Sequence, residues 1–151
     1  MTSELAVESI LKEQVNTYRA LHDLLGRERK CLLNIDAEKL EEISKEKDTI
    51  VMRLRLLEEE RRRLVAEIAG DRGVSADINL RELAGITGNN VFSELRSTLL
   101  SLLQGIEEMN RFNSILIDRS ITYIRTNMNF LRPFTKEDVP LTSGTLLSKE
   151  T

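Results

Sequence analysis

A single long helix is predicted for residues 91–131, VFSELRSTLLSLLQGIEEMNRFNSILIDRSITYIRTNMNFL. Apolar and small polar side chains recur there at alternating intervals of three and four residues, a spacing that is typical of helices alone. The stripe consists of Phe92, Leu95, Leu99, Leu102, Ile106, Met109, Asn113, Leu116, Ser120, Tyr123, Asn127 and Phe130. At 1.5 Å per residue, a helix of about 41 residues is roughly 60 Å long, which is more than a small bundle needs.

The predicted helix changes character near Asn113. In heptad notation its a positions are apolar before this residue and are Asn113, Ser120 and Asn127 after it. A second apolar row begins in the same half and consists of Ile117, Ile121, Ile124, Met128 and Leu131. This change predicts that the second half of the helix meets a different partner from the first. A last helix that is simply buried in a bundle would also be apolar over a wide arc, so this alternative stays open.

We expect the second half of this helix to bind another protein. The residues predicted to contact that partner, or client, are Asn113, Leu116, Ile117, Ile121, Tyr123, Ile124, Met128 and Leu131. The segment is rich in Asn, Ser and Thr, which are mediocre helix formers, so it has little intrinsic reason to be helical alone. We therefore expect it to be less stable than the helices that precede it.

Residues 37–69 carry the clearest coiled-coil pattern of the chain. Their a and d positions repeat strictly every seven residues and predict a core seam made of Leu40, Ile43, Ile50, Leu54, Leu57 and Leu64. Two a positions of this seam are charged, Lys47 and Arg61. We expect these two side chains to set the register of the packing or to extend toward water.

The remaining elements predict an all-α fold. A helix over residues 3–33 is separated from the helix at 37–69 only by Asn34-Ile35-Asp36, which predicts an antiparallel hairpin with Asp36 as the cap of the second helix. A short helical turn at 77–84 follows. The expected architecture is an elongated antiparallel bundle of three long helices with coiled-coil character over residues 1–131, followed by a flexible tail at 132–151.

Composition excludes several classes of function. The net charge of -3 argues against a general nucleic-acid binder, and no segment has the apolar length of a membrane span or a secretion signal, so a soluble cytoplasmic protein is expected. The sequence contains one Cys and one His and none of the common catalytic, phosphate-binding or metal-binding motifs. We therefore expect no enzyme activity, no metal and no cofactor.

The chain resembles the FlgN-type flagellar type III export chaperones from Leu21 to Leu131. The similarity is carried by Leu24-Leu25 with Glu28 and Leu32, by residues 35–40, by Lys47 with Leu54, Leu57-Glu58 and Arg61-Arg62, by residues 80–83, and by residues 107–116 with Asn113 and Leu116. The resemblance implies a cytoplasmic bacterial chaperone that binds hook-associated proteins, the hook–filament junction subunits. Such a chaperone masks their polymerisation helices and delivers them to the flagellar export apparatus, using the C-terminal part of its chain.

A structural function is the alternative to a chaperone. In that case the exposed stripe would pair only with a second copy of the chain, as in a coiled-coil protein without an export client. Gene neighbourhood and the concentration dependence of the mass in solution distinguish the two hypotheses.

Overall fold

A computed structural model describes residues 2–131 of the chain, apart from the side chains of Asn127, Phe130 and Leu131. Within this range the chain forms four α-helices and no strand: α1 (Ser3–Asn34), α2 (Ala37–Arg72), α3 (Leu80–Thr87) and α4 (Val91–Leu131). The closest packing is between α1 and α2 and between α1 and α4, and α3 packs on α4. The tail predicted at 132–151 lies outside the described residues.

The all-helical class is confirmed, whereas the bundle of three long helices is not confirmed as such, because the short helical turn predicted at 77–84 is a fourth helix. It begins and ends three residues later than predicted. Asn79 is its N-cap, since the Asn79 side chain accepts a hydrogen bond of 2.8 Å from the backbone N–H of Glu82. Helix α2 likewise continues past the predicted end at Ala69 and stops only at Gly73, whose φ of 67° favours glycine.

Helix α1 contributes to every apolar cluster of the described chain. The largest cluster joins all four helices and contains Val7, Leu11, Val15, Leu64, Val65, Ile68, Leu83, Ala84, Phe92 and Leu99. Two smaller clusters follow toward the end of α1, one with Ile106 of α4 and one with Ile43 of α2. Helix α1 is therefore the element that α2 and α4 share.

The seam predicted on α2 faces α1, but only part of it is fully buried. Ile43 and Leu64 are buried, and Leu40, Ile50, Leu54 and Leu57 are half-buried. A helix that has one close neighbour keeps the flanks of its apolar stripe accessible to water, which explains the difference. Cys31 of α1 is a buried free thiol that packs near Ile43 as a small apolar side chain.

The turn between α1 and α2 has an unusual backbone conformation at Ile35. This residue has a φ of 51°, in the left-handed region, where β-branched side chains are unfavourable. Asp36 then caps α2 as predicted, because its carboxylate accepts a hydrogen bond of 3.2 Å from the backbone N–H of Lys39. Ile35 is 71% exposed, so burial does not offset the strain.

Replacing Ile35 with glycine should stabilise the hairpin. The expected gain in the free energy of unfolding is roughly 1 kcal/mol, because glycine adopts a positive φ without steric cost. The control is Leu33→Gly, which changes an exposed residue in the last turn of α1 and should lower the stability by about 1 kcal/mol. Urea unfolding followed by circular dichroism measures both; a loss of stability in Ile35→Gly would contradict the strain.

Both charged seam residues of α2 are paired with a carboxylate. Arg61 donates to Glu58, whose carboxylate also accepts a hydrogen bond of 2.9 Å from the buried Gln14 of α1. Burial acts to raise the pKa of Glu58, but the hydrogen bonds from Arg61 and Gln14 outweigh it and hold that pKa below its usual value. Burial of the Tyr18 phenol, together with the nearby Glu58 carboxylate, raises the pKa of Tyr18.

The lowered pKa of Glu58 predicts a stability that depends on pH. The contribution is present above the pKa of the unfolded chain, about 4.3, and is lost as the pH falls through the lower pKa of the folded state. Glu58→Gln should therefore lower the free energy of unfolding by on the order of 1 kcal/mol at pH 7, a small value because the pair is partly screened by water.

This difference from the unmodified protein should shrink below about pH 4. Urea unfolding at several pH values provides the measurement, and Glu59→Gln, at the exposed neighbouring position, is the control. An equal loss at pH 3 and pH 7 would show that ionisation of Glu58 does not matter.

Candidate protein-binding surface

Three polar side chains, one from each long helix, form a largely buried chain of hydrogen bonds. Asn113 of α4 is only 1% exposed, and its amide nitrogen donates to the backbone oxygen of Leu25 at 3.0 Å and to Glu28 Oε1 at 2.8 Å. Lys47 of α2 donates to the other carboxylate oxygen, Glu28 Oε2, at 2.5 Å. We call Glu28, Lys47 and Asn113 the polar layer.

The polar layer marks the end of the buried part of α4. Before it, the heptad a positions Phe92, Leu99 and Ile106 are all buried. After Asn113, none of the side chains that the structure describes in α4 is fully buried. The change of character that the sequence shows at Asn113 therefore coincides with a change in how closely α4 is packed.

The register of the two parallel helices explains this change. His22 of α1 lies beside Gly105, and a Cβ atom added at Gly26 would lie 3.8 Å from the terminal methyl of Met109. The guanidinium of Arg29 lies 4.3 Å from the centre of the Phe112 ring. At this offset the last residue of α1, Asn34, is level with about residue 117, so the rest of α4 extends roughly 20 Å beyond α1.

The structure separates Asn113 from the other predicted contact residues. Asn113 lies in the interface with α1, where no partner reaches it in this conformation. Tyr123 and Ile124 lie on the surface, 62% and 49% exposed. The half-buried members of the predicted set are Leu116, Ile117, Ile121 and Met128, and the side chain of Leu131 lies outside the described part.

Four exposed apolar residues near this end were not predicted to belong to the surface. Leu33 and Ile35 lie at the tip of the α1–α2 hairpin and are 58% and 71% exposed, and Phe112 and Ile115 of α4 are also exposed. Leu33 and Ile35 belong to the α1–α2 hairpin and the predicted site lies on α4, so only the register of α4 on α1 shows that they are near it. Phe112 and Ile115 fall outside both apolar rows of α4, which is why periodicity missed them.

Comparison with known proteins supplies the family. Residues 1–139 match the FlgN protein family, which covers both the hairpin and the whole of α4. The chain belongs to the FlgN family. Membership indicates a chaperone of flagellar assembly and export. No curated protein and no solved structure matches this FlgN-family chain. Within residues 2–131, no helix of the FlgN-family chain is long and apolar enough to cross a membrane.

The geometry predicts that α4 is protected unevenly against hydrogen exchange. Amides of residues 118–131 should exchange roughly 10-fold faster or more than those of residues 92–113, because packing against α1 stabilises only the earlier part. Exchange of the free protein followed by mass spectrometry of peptides measures this. Uniform protection along α4 would show that the extension is as stable as the packed part.

Proposed function

We propose that this FlgN-family chain is a cytoplasmic chaperone that binds hook–filament junction subunits, masks their polymerisation helices and delivers them to the flagellar export apparatus. The observation that supports the proposal most is the extension of α4 beyond the end of α1. Among residues 2–131, no other helix runs alongside the two apolar rows of this extended part. Family membership supports the same process.

We propose that a client helix lies beside the extended part of α4 in the same way that α1 lies beside its first part. The stripe of α4 runs from Leu116, level with the last turn of α1, to Tyr123 beyond it, and the second apolar row runs beside it through Ile117, Ile121 and Ile124. An amphipathic helix buries its own apolar face when it lies along such a surface. The client helix would thus extend the packing that α1 begins.

Two further features suit a surface that holds and then releases a protein. Met128 adapts its shape to different neighbours, as a carrier of more than one subunit requires. Leu33 and Ile35, at the hairpin tip, add apolar area on the side where the client helix would begin. Asn113 stays in the proposed site as its inner boundary, and Leu131 as its outer end.

Reversible binding explains the proposed task without chemistry, so we expect no enzymatic activity, metal or cofactor. The same apolar surface would also serve a second copy of the chain, which is the alternative of self-association. A mass in solution that rises with concentration and falls when a client is added would mean that both occupants compete for one surface.

Changing Ile117, Ile121 and Ile124 together to Ser should abolish client binding. We expect at least a tenfold weaker affinity for a purified junction subunit from the same organism, because burial of each isoleucine contributes about 1.5–3 kcal/mol. Isothermal titration calorimetry measures the affinity. The thermal midpoint should change little, because these residues lie at or beyond the end of α1.

The matched control replaces three exposed apolar residues of α2, Val51, Met52 and Leu56, with Ser. This variant should bind like the unmodified protein. If the α4 variant keeps its client and melts far below the unmodified protein, the second row belongs to the core and the client site lies elsewhere.

A further inference from the structure

The apolar pattern of α4 does not by itself fix where this helix sits along α1. Its buried a positions Phe92, Leu99 and Ile106 are seven residues apart. A shift of α4 by one heptad therefore still places apolar side chains opposite apolar side chains over most of the contact. Something other than the repeat has to distinguish one register from the next.

We propose that the polar layer sets the register of α4 on α1 and thereby the length of α4 that extends beyond the hairpin. Asn113 is the only buried polar residue among the described residues of α4, and its two acceptors lie 85 and 88 positions earlier in the chain. The assignment of the register stands on these contacts alone. Its consequence for the client rests on the proposed function.

Each alternative register removes at least one of the two hydrogen bonds that Asn113 donates in the observed register. If α4 moves forward by one heptad, Ile106 comes opposite Glu28. The carboxylate, whose side chain is 9% exposed in the observed register, then loses the Asn113 donor and keeps only Lys47. If α4 moves back by one heptad, Ser120 comes opposite Glu28. Its single hydroxyl donor does not serve both Glu28 and the backbone oxygen of Leu25. The forward register removes both hydrogen bonds from Asn113 and the backward register at least one of them, and a buried carboxylate that loses a donor is unfavourable.

The composition of the polar layer indicates that it specifies the register of α4 on α1 more than it stabilises the fold. The side-chain oxygen Oδ1 of Asn113 is buried and has no hydrogen-bond partner in the described part of the chain. The Glu28–Lys47 pair is largely buried, and apolar replacements of such pairs are often as stable as the original. A layer that contributes little net stability but excludes other registers is the known use of a polar residue in a helical seam.

Paired cysteines report the register directly. In a Cys31→Ala background, Gly26→Cys with Met109→Cys reports the observed register, because the two positions face each other: a Cβ at Gly26 would lie 3.8 Å from the terminal methyl of the Met109 side chain. Gly26→Cys with Leu102→Cys reports a forward shift of one heptad, and with Leu116→Cys a backward shift. A bifunctional thiol cross-linker that spans a few ångströms, less than the roughly 10 Å of a one-heptad shift, followed by denaturing electrophoresis, gives the cross-linked fraction of each pair.

With the polar layer intact, only the 26–109 pair should cross-link efficiently. When Glu28, Lys47 and Asn113 are all replaced with Leu, we expect cross-linking of the 26–102 or the 26–116 pair to rise at least tenfold. The matched control is Asn110→Leu, a half-buried position of α4 outside the layer, which should leave the pattern unchanged. A single 26–109 product in the folded triple variant would overturn the proposal, since the apolar anchors would then suffice.

A second variant gives a result even if the triple variant does not fold. Ile106→Asn with Asn113→Ile moves the asparagine by one heptad and keeps the composition. The 26–102 pair should then replace the 26–109 pair, and retention of the 26–109 pair would overturn the proposal. The cross-linking experiments need no client. Failure of the proposed function would appear in a separate measurement, as client binding that is unchanged when Ile117, Ile121 and Ile124 are replaced with Ser and the register has not shifted.

Discussion

The structure depends on α1 being covered from two sides at once. Helix α2 packs along one side of it and α4 along another, and each apolar cluster of residues 2–131 includes residues of α1. A helix with two such neighbours is buried over a wide arc, which explains why eleven residues of α1 are buried against five of α2. The length of α1 consequently limits how much of α4 is packed.

The proposed function follows from this limit. Helix α4 has 41 residues and α1 has 32, and the two run parallel from nearly the same end, so the excess of α4 accumulates at the far end. The extended part of α4 still carries apolar side chains such as Tyr123 and Ile124, but α1 no longer lies beside it. In a FlgN-family chaperone, this exposed apolar surface on the extended part of α4 suits an amphipathic segment of an export substrate, as we propose above.

Much of the fold was predictable because local rules govern it. The heptad of α2 placed its seam toward the core, Asp36 caps α2 as predicted, and the charges at Lys47 and Arg61 reach carboxylates instead of disrupting the seam. The bounds of α3 were predicted three residues too early, because several residues between Gly73 and Asn79 are acceptable caps and the sequence does not distinguish among them. The client-binding role of the residues from Leu116 to Leu131 stays a prediction.

The sequence by itself determined the helices, their apolar faces and the change of character at Asn113, because the period of the side chains identifies a face of a helix. It did not determine what Asn113 does. Periodicity carries no information about the axial offset between two helices, so the contacts of Asn113 with Leu25 and Glu28, far apart in the chain, exist only in the tertiary structure. Packing placed Asn113 in the interface with α1 and left Tyr123 and Ile124 exposed, because α1 ends between them.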